Sequence, residues 1–181
     1  MSKTGKTVIL GVTASIAIYK ACDLVRRFKE RGFTVKVIMT SEAERLIRPI
    51  VFSSLSGNKV YGPDVFSEPE NWEIEHVSLA QEASLILVAP ATANIIAKMA
   101  AGICDDLLTC TICASRTHVL VAPAMNENMY KNKITQENIA KLQSCGYKII
   151  QPREGQLACG KSGLGCLAGV DDIIGEAEKF L

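Results

Sequence analysis

Four short stretches of this 181-residue chain put small and polar side chains directly after apolar runs, where a fold can present them to a ligand. They are residues 11–15 (GVTAS), 40–41 (TS), 90–94 (PATAN) and 123–129 (PAMNENM). The first contains one glycine, so the G-x-G-x-x-G fingerprint of a dinucleotide site is absent. Its small residues still let backbone approach a phosphate at a helix N-terminus, where free N–H groups and the helix dipole favour an anion. Thr40 and Ser41 stand where dinucleotide proteins carry an acidic residue for a ribose diol, and their hydroxyls suit a mononucleotide phosphate better. Asn94 and Asn126 offer donor and acceptor together without charge, which suits a carboxylate or a ring edge. Taken singly, Thr40, Ser41, Asn94 and Asn126 also read as helix caps.

A fifth stretch, residues 155–165 (GQLACGKSGLG), is rich in glycine, which raises the entropic cost of ordering it. It reads as a lid that carries Cys159 toward a bound ligand and excludes water on closing, or as a surface loop with an incidental thiol. Cys110 and Cys113 form a C-x-x-C within a helical stretch and read as small packing residues sharing a face rather than as a metal or redox pair. His118, inside an apolar run, reads as structural. His76 taken alone does too.

These stretches need a scaffold. Residues 6–11 (KTVILG) read as a strand feeding a helix over 15–31, with Gly32 past its end and a second strand over 33–39. Ser41 and Glu44 have capping-box spacing, predicting a short helix from Ser41 that stops before Pro49. Residues 57–73 read as loop. Residues 84–89 (SLILVA) and 117–122 (THVLVA) are continuous apolar runs bounded by Pro90 and Pro123, the pattern of strands covered on both faces and ended by proline. Between them 92–113 is helix-compatible with a break at Gly102. Residues 134–145 and 171–180 read as helices and 147–150 as a short strand. Alternating strands and helices predict an α/β fold, a three-layer doubly wound and mostly parallel sheet, whose ligands sit at the carboxyl ends of the strands.

Composition bounds the function. A mass of 19.6 kDa with 48% hydrophobic residues predicts a single globular domain over 1–181. A net charge of +1 gives no electrostatic drive toward nucleic acid. The apolar runs fall short of the ~20 residues that span a bilayer. Seven cysteines, an odd number without a framework, suit free thiols in a reducing compartment, so a cytoplasmic protein is expected.

With these pieces in order the sequence resembles the homo-oligomeric flavin-containing cysteine decarboxylases, and among them the branch of coenzyme A biosynthesis. The resemblance rests on GVTASIAIYK at 11–20, His76, PATANI at 90–95, CDDLL at 104–108, PAMNENMY at 123–130 and ACGKSGLG at 158–165. It implies a Rossmann-like flavoprotein with bound FMN that decarboxylates phosphopantothenoylcysteine to phosphopantetheine. The cysteine side is oxidised to a thioaldehyde, carbon dioxide leaves to give an enethiolate, and the electrons return. It implies His76, Asn126 and Cys159 as catalytic residues, with Asn126 on the substrate carboxylate and Cys159 serving the final reduction. FMN contacts are implied at Gly11, Thr13, Ser15, Thr40, Ser41, Thr92, Ala93, Asn94 and Ala124. Substrate contacts are implied at Asn126, Met129, Gln156, Ala158 and Lys161, and no metal is implied. The family further implies a homotrimer, in some members a dodecamer, with flavin at a subunit contact, and a fused or separate CTP-dependent phosphopantothenoylcysteine synthetase. Two positions depart from the family pattern: Tyr130, where Trp is usual and an aromatic wall is expected, and Cys166, where Arg often follows the clamp glycine. The lantibiotic-type peptidyl-cysteine decarboxylases and flavin-binding regulatory subunits share parts of this pattern; flavin prenyltransferases share the fold without the PAMN and ACG motifs.

Overall fold

The computed structural model describes residues 5–63, 74–156, 160 and 162–181. The opening unit is a strand, a 3-10 turn and a helix: β1 Thr7–Val12, Ile16–Ile18 and α1 Tyr19–Glu30. Gly32, with φ 85°, turns the chain out of the helix into β2 Thr34–Met39. Two short helices follow, α2 Ser41–Leu46 and α3 Pro49–Ser56, then the short strand β3 Val60–Tyr61. α4 Glu75–Glu82 leads directly into the long strand β4 Ala83–Ala91, and α5 Ala93–Ala101 and α6 Leu107–Ala114 lead to β5 Val119–Pro123. α7 Glu127–Lys131, α8 Lys133–Ser144, β6 Lys148–Ile149, β7 Arg153–Gln156, β8 Ser162–Cys166 and α9 Val170–Glu178 complete the described elements.

Six strands form one parallel sheet in the order β3-β2-β1-β4-β5-β6, so the chain direction across the sheet reverses between β1 and β4. Side-chain alternation sorts the core onto two faces. Val8, Leu10 and Val12 of β1 pack with Leu24, Val25 and Phe28 of α1 and Ile173 and Ile174 of α9. Ile9 packs on the other face with Ile95 and Ile96 of α5, Leu108 and Ile112 of α6 and Leu142 of α8. Both faces are buried, which is why the central strands are continuously apolar. The doubly wound expectation is met.

Several local expectations are corrected. The cap of α2 is Thr40, whose hydroxyl accepts the Ala43 N–H at 3.4 Å, and Ser41 is the first helical residue. Pro49 does not only stop a helix; it occupies the first turn of α3, where its missing N–H costs nothing. Pro90 lies within β4, which runs on to Ala91, and the Ala89–Pro90 peptide is cis, whereas Pro123 ends β5 as its last residue. Residues 57–63 of the expected loop include β3; residues 64–73 of it lie outside the described residues. The glycine-rich segment is not a plain loop, because its flanks are the paired antiparallel strands β7 and β8.

Thr13 ties the two central strand ends together. Its hydroxyl is 2% exposed, donates to Pro90 O at 2.7 Å and accepts from Thr92 N at 3.1 Å. Thr13→Val keeps the shape but strands both partners, and is expected to cost about 1–3 kcal/mol, lowering the thermal midpoint by several degrees.

Candidate functional site

Reversal of strand order opens a crevice between the ends of β1 and β4, the position where open parallel sheets bind ligands. A cavity of about 580 Å³ occupies it. One wall comes from the turn after β1 and the start of α1, Ala14, Ser15, Ile16, Ala17, Tyr19 and Lys20; a second from Thr92 and Ala93; a third from Ala124, Met125, Asn126 and Met129; and the hairpin covers it through Gln156, Gly165 and Cys166. Two helical segments aim their N-termini from this crevice. Ser15 caps the 3-10 turn by accepting from Ala17 N at 3.4 Å, and Thr92 caps α5 by accepting from Ile95 N at 3.3 Å.

Asn126 caps α7, and the cap decides its chemistry. Its Oδ1 accepts the Asn128 N–H at 2.9 Å, so the amide nitrogen is the end left to face a ligand, as a neutral donor. The hairpin is fastened beside it. Met125 N donates to Gly165 O at 3.0 Å, and Glu127 accepts the Leu164 N–H. The Lys131 ammonium first, and that N–H second, hold the Glu127 carboxyl below its usual range. Glycines serve close approach here: Gly165 has φ 141°, and a Cβ on it would lie 2.3 Å from Met125 O. Gly165→Ala is expected to lift the hairpin at a cost of about 1–3 kcal/mol, read as faster limited proteolysis within 153–166 while the sheet stays protected.

Of the residues singled out from the sequence, Ser15, Thr92, Ala93, Ala124, Asn126, Met129 and Gln156 line this cavity. Gly11 and Thr13 are buried behind it. A Cβ on Gly11 would meet the Leu108 side chain at 2.5 Å, so this glycine serves helix-to-strand packing. Thr40, exposed Ser41 and exposed Asn94 lie outside the lining, and Asn94 is not a cap, since Thr92 takes that place. His76 is half-buried in the first turn of α4, away from the lining. Ala158, Cys159 and Lys161 lie outside the described residues. Tyr130 is not an aromatic wall: it is buried in the core, and its hydroxyl donates to Gln151 Oε1 at 2.9 Å. His118 packs its ring against Phe180 at 4.9 Å. Sequence reading missed Lys20, Ile16 and Cys166 as cavity residues; a helical projection of 16–20 places Ile16 and Lys20 on one side and could have found that pair.

The C-x-x-C pair is corrected too. Cys113 is exposed rather than packed, and the Cys110 thiol donates to Cys104 O at 3.3 Å. No group of metal-binding side chains is found among the described residues. Burial, then the neighbouring Cys113 thiol, pushes Cys104 up to about 11. At pH 8 less of it is thiolate than of an ordinary cysteine, so its alkylation by iodoacetamide should be slower, and should speed up as pH climbs toward 11.

The family model described as Flavoprotein matches residues 1–181. The chain belongs to the flavoprotein family. It is 46% identical over 174 residues to the coenzyme A biosynthesis bifunctional protein CoaBC of Bacillus subtilis, covering 96% of this chain and 43% of that protein. It thus spans less than half the length of that curated relative and of the Vibrio vulnificus bifunctional proteins it also matches. It is 44% identical over 178 residues to a probable phosphopantothenoylcysteine decarboxylase of Streptococcus mutans, covering 97% of this chain and 99% of that protein. Among solved structures it is similar to a cysteine-to-serine mutant of PPC decarboxylase complexed with pantothenoylaminoethenethiol, with a TM-score of 0.87, 28% identity and 97% of each chain covered. The FMN-dependent cysteine decarboxylase SpaF superposes with a TM-score of 0.85 at 25% identity, again over 97% of each chain.

Proposed function

We propose that this chain is an FMN-dependent phosphopantothenoylcysteine decarboxylase, which removes the cysteine carboxylate of its substrate to leave phosphopantetheine on the route to coenzyme A. One observation carries the reading: at the strand-order reversal, capped helix N-termini and small side chains meet the neutral donor of Asn126 beneath a hairpin. The full-length likeness to the Streptococcus mutans relative supports the substrate, and the FMN-dependent neighbour supports the cofactor.

The residues present fit a flavin mononucleotide. Ser15 and Thr92 bring hydroxyls and free N–H groups to one crevice, as a phosphate requires, and Ala14, Ala93 and Ala124 leave room for a flat ring. We assign Gly11, Thr13, Thr40, Ser41 and Asn94 to the same cofactor region as supports of those strand ends. When bound, FMN takes up two electrons from the thiol-bearing carbon of the substrate and returns them after decarboxylation.

The chain's own groups do the rest. The Asn126 amide N–H orients the carboxylate without an ion pair; a full positive charge there would stabilise the carboxylate more than the transition state in which it disappears. Met129 and Gln156 flank that position, and Ala158 and Lys161 are assigned as further substrate contacts. Cys159 donates the proton that completes the final reduction. His76, outside the cavity of its own chain, is assigned to a site completed by an adjoining copy in a homotrimer, with further assembly to a dodecamer. Ile16 and Tyr19 at the cavity edge, 65% and 60% exposed, support such a contact. A CTP-dependent phosphopantothenoylcysteine synthetase, fused or separate, supplies the substrate in this reading, in the cytoplasm. Among the described residues no helix is long and apolar enough to cross a membrane.

The test is carbon dioxide release by FMN-loaded protein offered phosphopantothenoylcysteine or a peptide ending in cysteine. Release from the first alone is expected. Flavin-loaded protein that releases none, or that prefers the peptide, contradicts the assignment.

A further inference from the structure

Two cations beside the cavity have no part in the chemistry above. Lys20, in the first turn of α1, lines the cavity. Arg153 opens β7 directly opposite Cys166 of β8, and Cys166 lines the cavity as well. Several other basic side chains pair with carboxylates, among them Arg26 with Glu30, Lys98 with Asp105 and Lys131 with Glu127. Among the described residues neither Lys20 nor Arg153 has a carboxylate within ion-pair distance, and the Tyr19 ring, 5.9 Å from the Lys20 ammonium, carries no charge. Burial first, and the Arg153 charge second, lower the Lys20 pKa, so the two cations lie close enough to repel. A cation in the cavity wall with a second beside it on the covering hairpin, neither matched by a carboxylate, forms an arrangement that an anion relieves.

We propose that Lys20 and Arg153 form the seat for the phosphate monoester of the substrate and set a preference for phosphorylated over dephosphorylated pantothenoyl compounds. This rests on the decarboxylase reading. Its logic completes that of Asn126. Full charges are unhelpful at the carboxylate that must leave, but at the remote, unreacting end the same grip lasts through the whole reaction and fixes the substrate in place. The flavin carries the other phosphate monoester of this site. The hairpin location of Arg153 and Cys166, opposite the hydroxyl-lined strand ends, favours the substrate.

Calorimetric titration of FMN-loaded protein with phosphopantetheine and with pantetheine tests this without turnover. Wild type is expected to bind the phosphorylated compound about a hundredfold more tightly, and Lys20→Gln to lose tenfold or more of that preference. Arg153→Gln should lose less, because the residue is exposed. Pantetheine affinity and flavin content should stay unchanged in both. Equal weakening of both ligands, or no preference in wild type, overturns the seat. Loss of FMN but not riboflavin from the variants, with the ligand ratio intact, assigns the cations to the flavin phosphate and also overturns it. Failure of the decarboxylase reading shows separately, as wild type that releases no carbon dioxide.

Discussion

Asn126→Asp is expected to reduce carbon dioxide release by at least about a hundredfold while leaving the protein as stable as before. Oδ1 of Asn126 already serves as the cap of α7 by accepting the Asn128 N–H at 2.9 Å. Aspartate caps a helix as well as asparagine, so the thermal midpoint should move by no more than about 0.5 kcal/mol warrants. What changes is the other arm of the side chain. A donor becomes a charged acceptor, removing a charge-assisted hydrogen bond worth roughly 1.5–3 kcal/mol and setting two carboxylates against each other. Asn126→Ala separates the two roles in the opposite sense, since it loses the cap, at about 1 kcal/mol, together with the donor. Steady-state release beside a thermal melt reads both. An Asp variant that is stable and fully active places the substrate carboxylate elsewhere, and one that is unstable contradicts the division of roles between the two arms of the side chain.

Cys159→Ser is expected to leave the first half of the reaction running and stop the second. A serine hydroxyl is a far weaker acid than a thiol, and loss of a positioned proton donor costs typically about a hundredfold to ten-thousandfold in the step it serves. Carbon dioxide should still be released, and the enethiol should build up in place of phosphopantetheine. Separating the products by liquid chromatography reads this directly. Saturated product at the wild-type rate would remove Cys159 from the reduction.

The strand ends that build the cavity were legible because buried parallel strands announce themselves as apolar runs, and the small or polar residues just after them must face the crevice. Ser15, Thr92 and Asn126 were found in this way. Strand order was not legible, because the reversal between β1 and β4 is a matter of tertiary packing that no local pattern records. The hairpin was misread for a physical reason: glycine was weighed as conformational freedom, whereas Gly163 and Gly165 are needed where β8 lies against Glu127 and Met125 O with no space for a Cβ. Proline is an equally partial guide: Pro123 does end β5, whereas β4 runs one residue past Pro90 to Ala91. Lys20 escaped notice because a lysine on an amphipathic helix ordinarily marks the solvated face. Only the cavity at the start of α1 makes it otherwise. His76 could be singled out only through the family resemblance, and one chain's own cavity does not contain it.

The central claim is a complete cycle of oxidation, decarboxylation and reduction at one site. Mass spectrometry of the product formed when FMN-loaded protein is incubated anaerobically with phosphopantothenoylcysteine tests it most directly. The account predicts a product that differs from the substrate by carbon dioxide alone, with both hydrogens of the saturated carbon chain restored and no external reductant consumed. A product that lacks those two hydrogens, or an unchanged substrate in a sample that holds its flavin, would contradict it.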